Sequence, residues 1–334
     1  MNRLQRQWQN GGWLSTALTP LGGLYGGAMW LRRALYRWHW RQPETLPLPV
    51  VVVGNLTVGG SGKTPLVIAL VEALLAAGRR PAVVSRGYGR TSRGLQVVSA
   101  GDGRRIPAAE SGDEPALLAD RLPVPVVVAA DRGAAVREAA ALGADCVVAD
   151  DGFQRLSLPR ERAFLVVDGQ RGFGNGRCLP AGPLREPLSA LGEADAVVIN
   201  GGEAPEGLAP QMHMTLAPRA LVDIQGRAAD QPLAWLQGRR VHAAAGIGDP
   251  ERFFDTLAQA GAQVVRHAFA DHHAYGASDL VLPDDAPLVV TEKDAVKMRE
   301  LGVTGWALRV DAQLRPDPSP WLADLPGAPG SGVS

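Results

Sequence analysis

Gly59, Gly60, Ser61, Gly62, Lys63 and Thr64 make up the run of this chain whose chemistry is most directly readable. Three glycines in four residues let backbone N–H groups converge on one anion, because no Cβ blocks the approach. Lys63 would neutralise the β- and γ-phosphates of a nucleoside triphosphate, and the Thr64 hydroxyl would take one position on Mg²⁺. Thr57 stands six residues before the lysine, where the strict motif has glycine. Val58 stands where the variant loop Lys-Gly-Gly-x-Gly-Lys-Thr has its first lysine. Nucleotide contacts are expected from Thr57, Val58, Gly59, Gly60, Ser61, Gly62, Lys63 and Thr64. Arg86 and Arg90, in a basic loop after an apolar run, are candidates for phosphate contacts or simply solvated.

Carboxylates supply the second set of candidates. Asp150 and Asp151 follow the apolar Cys146–Ala149, the position from which a carboxylate holds Mg²⁺ beside the loop threonine. Asp113 precedes Glu114-Pro115 and reads as a helix N-cap by position. On spacing alone the cap is the default, and the functional alternative is the base that takes a proton from an acceptor hydroxyl. His267, Asp271, His272 and His273 gather half of the six histidines. No further ligand completes a metal site there, and a histidine orienting a carboxylate is the more economical role.

These residues need elements to hold them. Val50–Val53 is a buried strand feeding the glycine loop, and a helix should run from about Lys63 to Ala77. Pro81–Ser85, Val124–Ala129, Cys146–Ala149, Phe164–Val167 and Ala196–Ile199 read as further strands alternating with helices, the pattern of a parallel sheet. Leu95–Val98 with the turn at residues 101–103 looks like a hairpin insertion. Residues 211–224 read as two short extended runs around Ala217-Pro-Arg219. A second α/β unit follows, with strands at Val241–Ile247, Val264–Phe269, Leu288–Thr291 and Trp306–Val310, and a loose tail after Leu314. The class is α/β with mostly parallel sheets in two lobes. The division runs 1–43, 44–210 (a phosphate-loop core), 211–225 (a two-stranded linker) and 226–334 (a smaller α/β lobe).

Bulk properties narrow the partners. The formal charge of zero gives no field for a polyanion, so nucleic acid is not expected, and no obligate protein partner is implied. The two cysteines, Cys146 and Cys178, lack metal-ligand spacing and fit a reducing compartment. Residues 1–43 stand apart. They carry Trp8, Trp13, Trp30, Trp38 and Trp40 with Arg3, Arg6, Arg32, Arg33, Arg37 and Arg41, and no acidic residue. Leu24, Ala28, Leu31, Leu35 and Trp38 share one helical face, with Arg33, Arg37 and Arg41 opposite. No apolar run reaches the roughly 20 residues of a membrane span. The segment reads as a helix lying on an anionic bilayer, or as one packed on the domain body.

Several longer stretches resemble one family, the tetraacyldisaccharide 4′-kinases that act on lipid A precursors in Gram-negative bacteria. They run from Gly54 to Pro65, Ser85 to Gly89, Gly112 to Pro115, Asp150 to Gln154, Leu179 to Pro187, Ala245 to Phe253, Asp271 to His273 and Thr291 to Asp294. Asp249 stands where asparagine is more usual. The resemblance implies transfer of the ATP γ-phosphate to the 4′-hydroxyl of a tetraacylated glucosamine disaccharide 1-phosphate. It also implies two α/β/α lobes with a two-stranded linker, a Mg²⁺ requirement and attachment to the cytoplasmic face of the inner membrane. By the same analogy Asp113 and His272 act as a pair, with His273 the other candidate. Glu114 and Gln154 join Thr64, Asp150 and Asp151 as residues for the metal. The competing readings are a membrane-recruited nucleotide switch and a soluble small-molecule kinase or ligase.

Overall fold

The structure, a computed structural model, describes residues 7–9 and 11–327. Arg3, Arg6 and the tail from residue 328 lie outside the described residues. The chain forms two compact units. The first comprises Met1–Arg86, Ala129–Thr215 and Gln313–Ser334, and the second Gly87–Val128 and Leu216–Ala312. Residues 87–128 therefore group with the C-terminal half, although the sequence places them in the stretch 44–210.

The strands in chain order begin with β1 (Val50–Gly54), β2 (Pro81–Ser85), β3 (Gln96–Ala100), β4 (Pro125–Val128), β5 (Cys146–Ala149), β6 (Arg162–Asp168) and β7 (Ala196–Asn200). They continue with β8 (Met212–Asp223), β9 (Gln231–Pro232), β10 (Arg240–Ala245), β11 (Gln263–Ala268), β12 (Leu288–Thr291) and β13 (Trp306–Arg315). In the first unit the order is β7-β6-β1-β5-β2, all parallel. Parallel strands are covered on both faces, which is why β1 is four consecutive valines, all fully buried. The helix Lys63–Ala76 buries Leu66, Val67, Ile68, Leu70, Val71 and Leu74. Each such side chain contributes about 2 kcal/mol on leaving water, so the helix that follows the phosphate loop is firmly anchored to the sheet.

In the second unit β11-β10-β12-β13 are parallel in that order, over a core that includes Phe253, Phe254, Leu257 and Val289. β3 and β4 pair antiparallel, with an irregularity between Val97 and Ser99. The expected local hairpin is present only as a short closure, with Ser99 bridged antiparallel to Arg104 and Arg105 N–H donating to the Val98 carbonyl at 2.8 Å, while the longer pairing of β3 is with β4 beyond an intervening helix. Residues 211–224 are also corrected. β8 is one strand of 12 residues that runs through Pro218, not two short runs. Proline cannot donate to a ladder, so it survives where no hydrogen bond is asked of its nitrogen. The start of the tail is ordered as well. Ser319–Leu322 is helical, Leu322 and Leu325 are buried, and Arg79 donates to the Leu325 and Pro326 carbonyls at 3.0 Å each.

The N-terminal segment forms helices Trp13–Ala17 and Thr19–Arg37. Its docking face is not the one the apolar pattern selects. Gly22, Arg33 and Ala34 are buried, whereas Leu24 is 73% exposed and Leu21 and Leu31 are exposed on the same side. A Cβ on Gly22 would lie 2.8 Å from the Ala181 Cβ, so glycine permits close approach there. Arg33 pairs with Glu186 and Glu193 and lies over the Phe153 ring, 4.7 Å from its centroid. Arg33 belongs to the docked face and not to a solvated one. Its buried partner Glu186 explains why: burial raises the Glu186 carboxyl, and only an adjacent cation keeps such a group tolerable inside.

Candidate active site

Two groups of polar side chains stand out, one in each unit. In the first, β1 ends at Gly54, where a Cβ would sit 2.3 Å from the Phe153 Cβ. Asn55 follows, fully buried. Its amide nitrogen donates to the Thr57 carbonyl at 2.7 Å, and its oxygen accepts from Lys63 Nζ at 3.3 Å. Lys63 also lies 3.6 Å from Asp151 Oδ1. The ammonium is thereby held between Asn55 and Asp151. Gly59 and Gly62 have φ of +101° and +96°, conformations that side chains with a Cβ rarely take. Val58 donates its N–H to the Pro183 carbonyl at 2.9 Å, which occupies the donor expected for a nucleotide. Thr57 bridges to Leu184 from the same segment.

The strand-end carboxylates have different surroundings. Asp150 is buried, with Ser85 Oγ 3.3 Å from its Oδ2. Asp151 has φ of +51° and receives Arg185 Nη1 at 3.1 Å. Burial would raise the Asp151 carboxyl, but Lys63 and Arg185 together outweigh it and hold the group below the usual carboxylate range. Arg132, buried behind them, has its guanidinium pushed down to about 10 by that burial, against the pull of Asp150 and Asp151. Gln154 donates to the Asn55 carbonyl at 2.7 Å, so its side-chain oxygen is the group it retains for a ligand. Arg86 is exposed at the end of β2. Arg90 is committed to its own loop, donating to the Gly94 carbonyl at 2.6 Å.

In the second unit, Asp113 is the first residue of the helix Asp113–Arg121. The N-cap is Gly112 with φ of +93°, and no side chain caps this helix. The capping role for Asp113 is therefore corrected. Its carboxylate instead meets His272 Nδ1 at 3.1 Å and Lys297 Nζ at 3.3 Å. Lys293 Nζ lies 3.2 Å from His272 Nε2. An ammonium only donates, so Nε2 accepts and Nδ1–H donates to Asp113, which fixes the tautomer. Burial would raise the Asp113 carboxyl, yet the His272 hydrogen bond, Lys297 and Lys293 outweigh it and hold it low. The carboxylate is ionised throughout the neutral range.

His272 itself has φ of +60°, a left-handed conformation costing on the order of 1 kcal/mol or more for a residue with a Cβ. Its N–H donates to the Gly246 carbonyl at 3.1 Å. His273 turns elsewhere, with Nε2 3.0 Å from Asp279 and its ring stacked on Phe269. Glu114 lies beside Lys293 at 3.8 Å. His267 pairs with His242 at 2.9 Å, away from residues 271–273. Among the described residues no cluster of three or more His, Cys, Asp or Glu could hold a metal.

Asn55, Arg185, Lys293 and Lys297 are the members of these two groups that composition and spacing did not single out. A signal existed for two of them. Lys293 and Lys297 are four apart at the start of the helix Glu292–Glu300, and so share one face. The Thr291–Asp294 stretch has a different role. Thr291 is the N-cap, and buried Asp294 accepts from Thr291 at 2.6 Å, Tyr275 at 2.9 Å and Gly246 N–H at 3.0 Å.

Residues 14–325 match the family model described as tetraacyldisaccharide-1-P 4′-kinase. A tetraacyldisaccharide 4′-kinase of Stenotrophomonas maltophilia is 46% identical over 96% of this chain and 92% of its own length. One from Alkalilimnicola ehrlichii is 49% identical over 92% of this chain and 90% of its own. The crystal structure of an LpxK from Aquifex aeolicus, in complex with ATP, superposes with a TM-score of 0.78 at 31% identity. It covers 92% of this chain and 98% of that one. By the extent of these matches, the chain belongs to the tetraacyldisaccharide-1-phosphate 4′-kinase family.

Proposed function

We propose that this protein transfers the γ-phosphate of ATP to the 4′-hydroxyl of tetraacyldisaccharide 1-phosphate, giving the bis-phosphorylated lipid IVA precursor of lipid A. The observation that carries this reading is the Asp113–His272 hydrogen bond, an ionised carboxylate freed from capping in a chain that also has a phosphate loop. A nucleotide switch has no use for a base directed at an alcohol. A kinase requires one, or at least an orienting carboxylate, at the attacking oxygen.

Lys63 and the loop N–H groups hold the triphosphate. Asp113 accepts the proton of the 4′-hydroxyl as that oxygen bonds to the γ-phosphorus. The bond from phosphorus to the bridging oxygen breaks, and ADP leaves with its electron pair. The transition state is loose, so the proton moves late and a weakly basic carboxylate suffices. His272 donates to one carboxylate oxygen and fixes which lone pair faces the hydroxyl. Lys297, beside the same carboxylate, keeps it ionised until the proton arrives.

The donor set fits Mg²⁺. Thr64, Asp150 and Asp151 offer hard oxygen donors, with Gln154 a further one, and Mg²⁺ takes much of its shell from phosphates and water. Few protein carboxylates are needed, in keeping with the lack of a three-ligand cluster among the described residues. When bound, the ion would neutralise charge on the β- and γ-phosphate oxygens. Glu114 is a poorer ligand, since Lys293 shares its carboxylate.

The N-terminal helix is the element that would rest on the cytoplasmic surface of the inner membrane. Among the described residues no helix is long and apolar enough to cross a membrane. Leu21, Leu24, Trp30, Leu31 and Trp38 are exposed, which suits a face inserted among anionic headgroups. We read the domain plan as a phosphate-loop lobe and a smaller C-terminal lobe that also takes in residues 87–128, with residues 211–225 as the proposed linker. Incubation with γ-labelled ATP, Mg²⁺ and the disaccharide 1-phosphate in mixed micelles tests the whole reading. Label in the lipid is the expected result. Hydrolysis without lipid labelling would instead identify a nucleotide switch.

A further inference from the structure

Two side chains far apart in sequence grip the phosphate loop from behind. Arg171 Nη2 donates to the Gly60 carbonyl at 3.0 Å. Asn200 Nδ2, on a residue only 3% exposed at the end of β7, donates to the Ser61 carbonyl at 3.0 Å. Neither residue belongs to the glycine loop or to the carboxylate set described above. Arg171 is itself anchored, because its Nε lies 3.0 Å from Asp168 Oδ2. Asp168 Oδ1 in turn accepts the N–H groups of Gln170 at 2.9 Å and Arg171 at 3.1 Å. The arginine is therefore held rigidly at the end of β6.

The consequence follows from peptide geometry. In a planar trans peptide, C=O and N–H point in opposite directions. The Gly60 carbonyl shares its peptide with the Ser61 N–H, and the Ser61 carbonyl shares its peptide with the Gly62 N–H. Fixing each carbonyl therefore fixes the N–H of the same peptide, pointed away from Arg171 in one case and from Asn200 in the other. No backbone acceptor among the described residues takes either N–H. Gly62 also has to be glycine for this grip to form, since a Cβ there would lie 2.3 Å from Asn200 Nδ2.

We propose that Arg171 and Asn200 are positioning residues that preset the Ser61 and Gly62 N–H groups toward the nucleotide phosphates before nucleotide binds. The proposal rests on the reading of residues 57–64 as the nucleotide loop and adds to it. A loop of small residues has little intrinsic reason to hold one conformation. Pre-organisation raises affinity by removing the ordering cost from the binding step.

The test uses the full chain, with ADP as the calorimetric probe and hydrogen exchange at residues 57–64 of the nucleotide-free protein. Arg171→Ala alters a partly exposed side chain and should fold. Asn200→Ala is the buried counterpart. Each should weaken ADP binding about tenfold, the consequence of losing one hydrogen bond that orders the site. Each should also speed exchange at the loop several-fold without nucleotide present, while exchange in β1 stays unchanged. An ADP Kd within twofold of the parent would overturn the proposal. So would weakened ADP binding with unchanged exchange in the nucleotide-free protein, because the two residues would then be direct nucleotide ligands. Failure of the parent protein to bind ADP would refute the nucleotide-loop reading itself, a result separate from either.

Discussion

His272 Nδ1 donates to Asp113 Oδ2 at 3.1 Å, across 159 positions of sequence. The imidazole is fixed by Lys293 on its other nitrogen, and Lys297 Nζ lies 3.3 Å from the same carboxylate oxygen, Oδ2. Asp113→Asn keeps the size of this group and removes its basicity. Turnover should fall by about 10²–10⁴-fold, the range for a general base, with the KM for ATP little changed. Thermal stability should hold to within a few degrees, since Gly112 and not Asp113 is the cap. His272→Ala should cost less, because the carboxylate survives it. Near-normal kcat in Asp113→Asn would refute the base assignment.

The same electrostatics set an acid limb for stability. Asp113 and Asp151 both have folded pKa values depressed below the ordinary carboxylate value. A depressed carboxylate contributes stability that is fully present above its unfolded pKa, near 4, and is lost as pH falls through its lower folded pKa. Melting temperature should therefore be insensitive to these two groups from pH 5 to 8 and should drop below about pH 4. Asp113→Asn should make the acid decline shallower. An unaltered acid limb in that variant, followed by calorimetry, would contradict the depressed value.

Different parts of this architecture were legible to different degrees. β1, β2, β5, β6 and β7 were readable because buried parallel strands are uninterrupted apolar runs. The glycine loop was readable because its backbone needs residues without a Cβ. The β3–β4 pairing was not, since antiparallel partners 25 or more residues apart leave no local mark. The N-terminal helix was legible in part. Its apolar face points outward, as a helix lying on a bilayer requires, but its docking face uses a glycine and an ion-paired arginine, so polarity alone leaves Arg33 on a solvated face. Asp113 was ambiguous because cap and base call for the same residue at the same place. Only the position of Gly112, one residue earlier, separates them.

Lys63 connects the loop to the strand-end carboxylates, lying 3.3 Å from Asn55 Oδ1 and 3.6 Å from Asp151 Oδ1. Lys63→Met keeps the stem and removes the charge. ATP binding should weaken at least tenfold, and turnover should fall by orders of magnitude, because a charge on the transferring phosphoryl group is lost. Asn55→Ala should reproduce part of this loss by freeing the lysine. Equal activity of Asn55→Ala and the parent, measured by lipid labelling, would show that the lysine needs no such guide.

The two faces of the helix Thr19–Arg37 call for opposite experiments. Arg33 is 3% exposed and its partner Glu186 is 1% exposed. Removing one member of such a pair leaves a buried charge without compensation, at a cost of about 3–5 kcal/mol. Arg33→Ala should therefore lower the melting temperature markedly in the absence of any lipid. Leu24 is 73% exposed, so little of it packs on the protein itself. Leu24→Glu together with Leu31→Glu should leave the melting temperature unchanged and reduce flotation with vesicles containing anionic lipid. The loss should exceed the effect on neutral vesicles, since added carboxylates face a negative surface as well as apolar chains. Unchanged flotation in the double variant would remove the helix from the membrane contact, and a lowered melting temperature would mean that this face is packed.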